Sequence, residues 1–300
     1  MQLMKFSKNK FYKIVLSILV CSFVIGTANK AFSVPYTTFS LYNTEPRFSK
    51  VLIILSENYT AQEDYDKAKK LLLQAINLSP DDVVAHLELA IVHEYLKEYE
   101  GCVKEYKKVL ELSPNYKIIN YFLGLALDKT GNTGEALLYL NNAAESIPNN
   151  ALIYYDIGVI FAKNNDYNKS VYYSQKAVDL KPDFAEAYNN LCYGQANLGK
   201  FQEALSNCNK SVELNPLSAP ALDSTGFVYY GMNNYDKAIE YYKKALAVDP
   251  GIGEIHFHLG KAYQKVNKVD NAAVSFREYL KLDPAANDIK EINLLINNLK

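Results

Sequence analysis

Tryptophan is absent from this chain of 300 residues, methionine occurs three times, and cysteine and histidine occur only four times each. So few metal-ligating and disulfide-forming residues exclude a fold organised by a metal or a disulfide framework. No glycine-rich phosphate loop, nucleophile elbow or paired-histidine metalloprotease helix is present, which removes the common signatures of catalysis. Charge of one sign is lacking too. The formal net charge is -1, and the first 33 residues hold five lysines (Lys5, Lys8, Lys10, Lys13, Lys30) and no acid, so the remainder carries -6. A mildly acidic chain has no electrostatic footprint for nucleic acid. Tyrosine is abundant, with 25 copies, which we read as a bias of amino-acid usage before any special chemistry.

The apolar run Ile14–Gly26 follows a basic start and is 13 residues long, short against the ~20 needed to span a bilayer. This is the layout of a signal peptide. Small residues at Gly26 and Ala28, and at Ala31 and Ser33, offer cleavage after Ala28 or after Ser33, and we favour the second, giving a signal peptide over residues 1–33. An uncleaved N-terminal anchor is the alternative, and the only membrane contact expected. A lipoprotein reading of Cys21 fails on Val20, where a small residue is needed. The expected localisation is export, to the periplasm or outside the cell. Residues 34–48, with Pro35, Pro46 and no helical period, read as a linker.

From there a period dominates. Pro80, Pro114, Pro148, Pro182, Pro216, Pro250 and Pro284 recur every 34 residues and account for seven of the ten prolines. They divide the chain into units 49–82, 83–116, 117–150, 151–184, 185–218, 219–252 and 253–286, each holding two helical patterns separated by a polar break such as TGNTG or NNDYN. In the sixth unit Leu222, Thr225, Gly226 and Tyr229 share one helix face; Ala238, Tyr242, Ala245 and Ala247–Val248 line its second helix, which begins near Asp236 and stops at Pro250. The eighth residue of every unit is small (Ser56, Ala90, Gly124, Gly158, Cys192, Gly226, Gly260), and so is the twentieth (Ala68, Cys102, Ala136, Ser170, Ala204, Ala238, Ala272). Glycine inside a helix costs about 1 kcal/mol relative to alanine. Four of them at one position imply close helix approach there, with Leu89, Leu123, Ile157, Leu191 and Leu259 supplying bulk beside it.

This pattern resembles the tetratricopeptide repeat, a helix–turn–helix unit of 34 residues. The resemblance covers residues 49–286 and implies an all-α solenoid, a right-handed superhelix of helix pairs. The fourth position departs from the family's large residue at His86, Asn120, Leu222 and His256, and the first unit fits least well, as a terminal repeat does. Residues 287–300 place Ile289, Ile292, Ile296 and Leu299 on one face and are expected to form a C-terminal capping helix.

No catalytic residue, cofactor or metal site is expected. His86 and His93 lie seven residues apart on one helix face, about 10 Å along the axis and too far for one ion, so they are read as core residues. His256 and His258 point apart. Signal, linker, repeats and cap use the whole sequence, and a non-enzymatic protein is expected. Cys102, Cys192 and Cys208 fall at helix-facing positions where cysteine packs as a small hydrophobe. Cys192 and Cys208 belong to paired helices of one unit, and an oxidising compartment bridges them if the helices are close enough.

What remains is a surface. The resemblance implies that the second, fifth, sixth, ninth, twelfth and thirteenth positions of each first helix line the inside of the superhelix, where extended peptides bind. Here they include Leu87, Ile91, Tyr121, Phe122, Leu125, Tyr155, Val159, Asn189, Asn190, Tyr193, Phe227, Tyr230 and Phe257, an apolar and aromatic set. Two readings stand side by side: these side chains pack against the next repeat, or they form a groove for a protein or peptide. The family's carboxylate-gripping lysine, arginine and asparagine set is not reproduced, with Tyr121, Leu125, Asp156 and Asn189 in those slots. Of the asparagine ladder seen in the sugar-transferase subset, only Asn190 is present. The expected function is an exported adaptor that binds a protein or peptide. The alternative is a structural scaffold or assembly factor of a cell-envelope complex, in secretion, pilus or outer-membrane biogenesis.

Overall fold

A computed structural model describes residues 45–284 and 289–298. The expected signal peptide and most of the linker lie outside the described residues, as do 285–288 and the last two residues. Residues from Phe48 onward form one compact unit, and its described part contains helices and no strand.

Fourteen of the helices form seven antiparallel pairs: α1 (Glu45–Ala61) with α2 (Tyr65–Leu78), α3 (Val83–Leu96) with α4 (Tyr99–Leu112), α5 (Ile119–Lys129) with α6 (Thr133–Ser146), α7 (Ala151–Lys163) with α8 (Tyr167–Leu180), α9 (Ala185–Asn197) with α10 (Phe201–Leu214), α11 (Ala219–Gly231) with α12 (Tyr235–Val248), and α13 (Gly253–Lys265) with α14 (Val269–Leu282). A fifteenth, α15 (Ile289–Asn298), packs on α14 and buries Ile292 in the last core cluster. The linker expectation ends early, because α1 begins at Glu45 and takes in residues up to Phe48. Pro46 permits this, since an N–H is not needed in a helix's first turn.

The boundaries follow side-chain chemistry. Asp82, Asn150 and Ser218, each the last residue of its unit, cap the following helix by accepting from backbone N–H groups of its first turn. Asp64, Asp166 and Asn234 do the same for the second helices α2, α8 and α12. One residue earlier, every unit turns through a left-handed backbone: Glu63, Lys97, Gly131, Asn165, Gly199, Asn233 and Asn267 all have φ between 56° and 81°. Glycine and asparagine tolerate this region, which is why the polar breaks are rich in them.

The small eighth residues lie where the two helices of a unit come closest. A methyl group added at Gly124 would lie 2.6 Å from Leu140 and 3.0 Å from the Ala136 carbonyl; one added at Gly226 would lie 2.5 Å from the Tyr242 ring. The eighth residue therefore makes room for the twenty-fourth. In the fifth unit these two positions are Cys192 and Cys208, and they are joined in a disulfide with Cα atoms 5.1 Å apart. Leu89, Leu123, Ile157 and Leu191 are fully buried beside this axis. Ala247 differs from expectation: it is exposed, and Leu246 packs in its place.

Neighbouring first helices touch one another (α7 with α9, α9 with α11, α11 with α13), whereas second helices contact chiefly the first helices on either side. First helices so lie on the inner side of the stack.

Candidate functional site

The inner side is built from first helices, and a simple register governs it. A residue contacts the one 35 positions later, one repeat plus one residue on. The Tyr121 hydroxyl donates to Asp156 at 2.6 Å, the Lys163 ammonium donates to Asp128 at 2.7 Å, and His258 Nδ1 lies 2.9 Å from Asp223. The fifth-position Tyr121 and Asp223 thus meet the sixth-position Asp156 and His258 of the next unit in the seam between helices.

This register sorts the thirteen expected site residues. Leu87, Ile91, Tyr121, Phe122 and Asn190 are buried. Phe122 stacks on Tyr106, and the Asn190 amide donates to Ser174 Oγ at 2.6 Å. Asn190 therefore serves the seam with α8 and has no amide hydrogen aimed at the open face. Leu125, Tyr155, Val159, Asn189, Phe227, Tyr230 and Phe257 are partly exposed, and Tyr193 is exposed at 38%.

The accessible residues form an aromatic run. Tyr193 packs against Phe227 at 6.0 Å between ring centroids; Phe227 approaches His258 at 6.1 Å, and Phe257 packs on Tyr279 at 5.4 Å. Tyr155 is set deeper, against Phe184 at 5.0 Å, and Tyr230 meets Tyr235 edge-on. Burial raises the phenol pKa of both Tyr155 and Tyr193, with acidic neighbours Asp156 and Glu186 adding to the first and Tyr167 and Glu254 to the second. Next to this run, the Asn189 side-chain carbonyl oxygen is buried with no hydrogen-bond partner, an unsatisfied acceptor of a kind that is costly to keep.

Several polar residues of the inner side were not singled out from sequence: Glu57, Glu88, Asp128, Asp223 and the ion-pairing role of His258. For His258, burial alone pulls the imidazole pKa down, but the hydrogen bond and charge of Asp223, with Glu254, outweigh it and leave it raised. Comparing residues 35 apart finds two of these pairs; rows aligned at 34 do not.

The remaining histidines are engaged. His86 Nε2 lies 2.9 Å from the Pro80 carbonyl and His256 Nε2 lies 3.2 Å from that of Pro250, so two fourth-position histidines make one contact in two units. His86 also meets Glu105, and His93 meets Glu98 at 2.6 Å. Among the described residues no cluster of three histidine, cysteine or acidic side chains is suited to a metal ion, and no helix is long and apolar enough to cross a membrane.

Family models described as tetratricopeptide repeat match residues 49–82, 83–116, 121–184 and 253–285, and one described as TPR repeat matches 226–267. No curated protein matches the chain. Among solved structures, a tetratricopeptide repeat protein from Parabacteroides merdae ATCC 43184 superposes with a TM-score of 0.71 at 15% identity, over 84% of this chain and 99% of that one. The Cut9–Hcn1 hetero-tetramer of APC/C gives 0.66 at 16% identity over 87% of this chain, which corresponds to 49% of that one. PilW, a type IV pilus biogenesis factor, gives 0.59 at 22% identity over 69% of this chain and 96% of that one. At these identities the likeness is one of fold.

Proposed function

Because the chain belongs to the tetratricopeptide repeat family, we propose that it is an exported, non-enzymatic adaptor that binds a protein or extended peptide along the inner face of its helix stack. The observation that carries this reading is the partly open row Tyr193, Phe227 and Phe257 beside the unpartnered carbonyl of Asn189. Aromatic side chains offer large rigid contact area to a bound segment.

Export is supported from two sides. The basic start and apolar run have the layout of a signal peptide. The Cys192–Cys208 disulfide suits an oxidising compartment, since such bonds are rare where thiols are kept reduced.

A second reading, an assembly component of the cell envelope working through its outer surface, is favoured by exposed Leu138 on α6 and Tyr172 on α8. Affinity capture from envelope extract separates the two. The adaptor reading expects a partner retained by the native protein and lost by Tyr193→Ala, with helicity unchanged. A partner held equally by both proteins moves the function to the outer surface.

A further inference from the structure

The inner face is unusual in which charges it leaves uncompensated. Lys163 is tied to Asp128, and Lys261 already lies over the Phe257 ring, 5.5 Å from its centroid. Several acids there have no cation. Glu88 on α3 is only 5% exposed, and no hydrogen bond or ion pair reaches its carboxylate among the described residues. The charge that acts on it comes from Glu57 on α1 and has the same sign. A buried carboxylate without a donor is costly, and a second acid across the seam makes it more so.

The same bias continues along the stack. Glu186 is exposed and acts electrostatically on Tyr155; Glu254 is exposed and acts on Tyr193 and His258. Of the unsatisfied buried groups on this side, the Asn189 carbonyl oxygen is an acceptor and the Thr60 hydroxyl can donate or accept. Acids set next to aromatic faces suit a cationic side chain, which gains from the carboxylate and from the ring quadrupole together.

We propose that the inner face selects a partner segment in which lysine or arginine alternates with apolar residues, and that Glu88 receives one of those basic side chains where α1 meets α3. The proposal rests on the reading of this face as the binding surface and adds the chemistry of what binds. The basic group supplies the donors that Glu88 lacks and separates its charge from that of Glu57. Apolar residues of the segment lie on the Tyr193–Phe227 row.

Three blocked, fluorescently labelled peptides of one length, in which leucine alternates with lysine, with glutamate or with glutamine, test this by anisotropy titration. Binding of the lysine peptide is expected, about tenfold or more tighter than the other two, with a loss of about tenfold on Glu88→Gln. Tyr193→Ala is expected to weaken it as well, while Glu145→Gln, an exposed acid on α6, leaves it unchanged. Circular dichroism checks that each variant is folded, and glutamine keeps the shape of glutamate. If all three peptides bind alike and Tyr193→Ala weakens them, the charge selection is overturned and the binding face stands. If the lysine peptide binds every variant equally, both are overturned. Binding of none of the three peptides also overturns the proposed selection.

Discussion

Cys192 and Cys208 occupy in the fifth repeat the two positions that Gly226 and Tyr242 occupy in the sixth, and the disulfide joins α9 to α10 at their closest approach, with 5.1 Å between Cα atoms. The bond closes a short loop, with a sequence separation of 16, for which chain-entropy arguments give on the order of 3 kcal/mol. Reduction, or the double change Cys192→Ala and Cys208→Ala, is expected to lower the denaturation midpoint by a corresponding amount. Cys102 is buried, which pushes its thiol pKa up to about 12, so it should stay unreactive to thiol reagents until the protein unfolds. Equal midpoints with and without reductant contradict the assignment.

Gly226→Ala tests packing against propensity. Alanine gains about 1 kcal/mol of helix propensity, yet its methyl would lie 2.5 Å from the Tyr242 ring, and overpacking costs typically 1–3 kcal/mol. Net destabilisation of about 1 kcal/mol is expected. Gly134→Ala, near the start of α6 with open space around it, should instead be neutral or stabilising. Thermal melts should show a lower midpoint for Gly226→Ala and an equal or higher one for Gly134→Ala.

Lys97 adopts φ 60° at the turn between α3 and α4, where the third to seventh units place glycine or asparagine. A side chain there costs about 1 kcal/mol or more. Lys97→Gly is expected to raise stability by a few tenths to 1 kcal/mol, since the relief exceeds the added chain entropy of glycine. A lower melting temperature counts against the left-handed assignment.

Burial, with Glu57 adding, pushes the Glu88 carboxyl from an ordinary 4.5 up to about 7. Its folded pKa lies above its unfolded one, so its contribution to stability is full below about pH 4.5 and is lost as pH rises through about 7. Glu57 and Tyr95 are the titratable neighbours coupled to it. The shift corresponds to about 3 kcal/mol. Glu88→Gln should therefore stabilise the free protein above pH 7 and flatten its stability between pH 5 and 7. His258 has the same sense: the stability it confers with Asp223 is full below the ordinary histidine pKa and fades as pH rises through its raised one. A variant whose pH profile matches the native one refutes the buried, unpaired carboxylate.

Much of this fold was legible in the residues. The register of seven prolines and the Gly and Asn positions between helices mark each pair, and small residues at Gly124 or Ala136 mark where its helices meet. The binding face was less legible. Tyr121 and Tyr155 hold equivalent positions, yet one is closed by its bond to Asp156 and the other stays partly open against Phe184. That outcome depends on the one-residue offset between neighbouring first helices. Alignment at the repeat length hides this offset, and with it the Asp223–His258 pair and the isolation of Glu88.

Site-specific photocrosslinking tests the binding face most directly. A photoreactive phenylalanine analogue would replace Tyr193 on the inner face or Tyr172, which is 55% exposed on α8, and the protein would be irradiated in its native envelope. The account predicts a discrete partner adduct from position 193 and none from position 172. Adducts from position 172 alone would contradict it and move the binding surface to the outer helices.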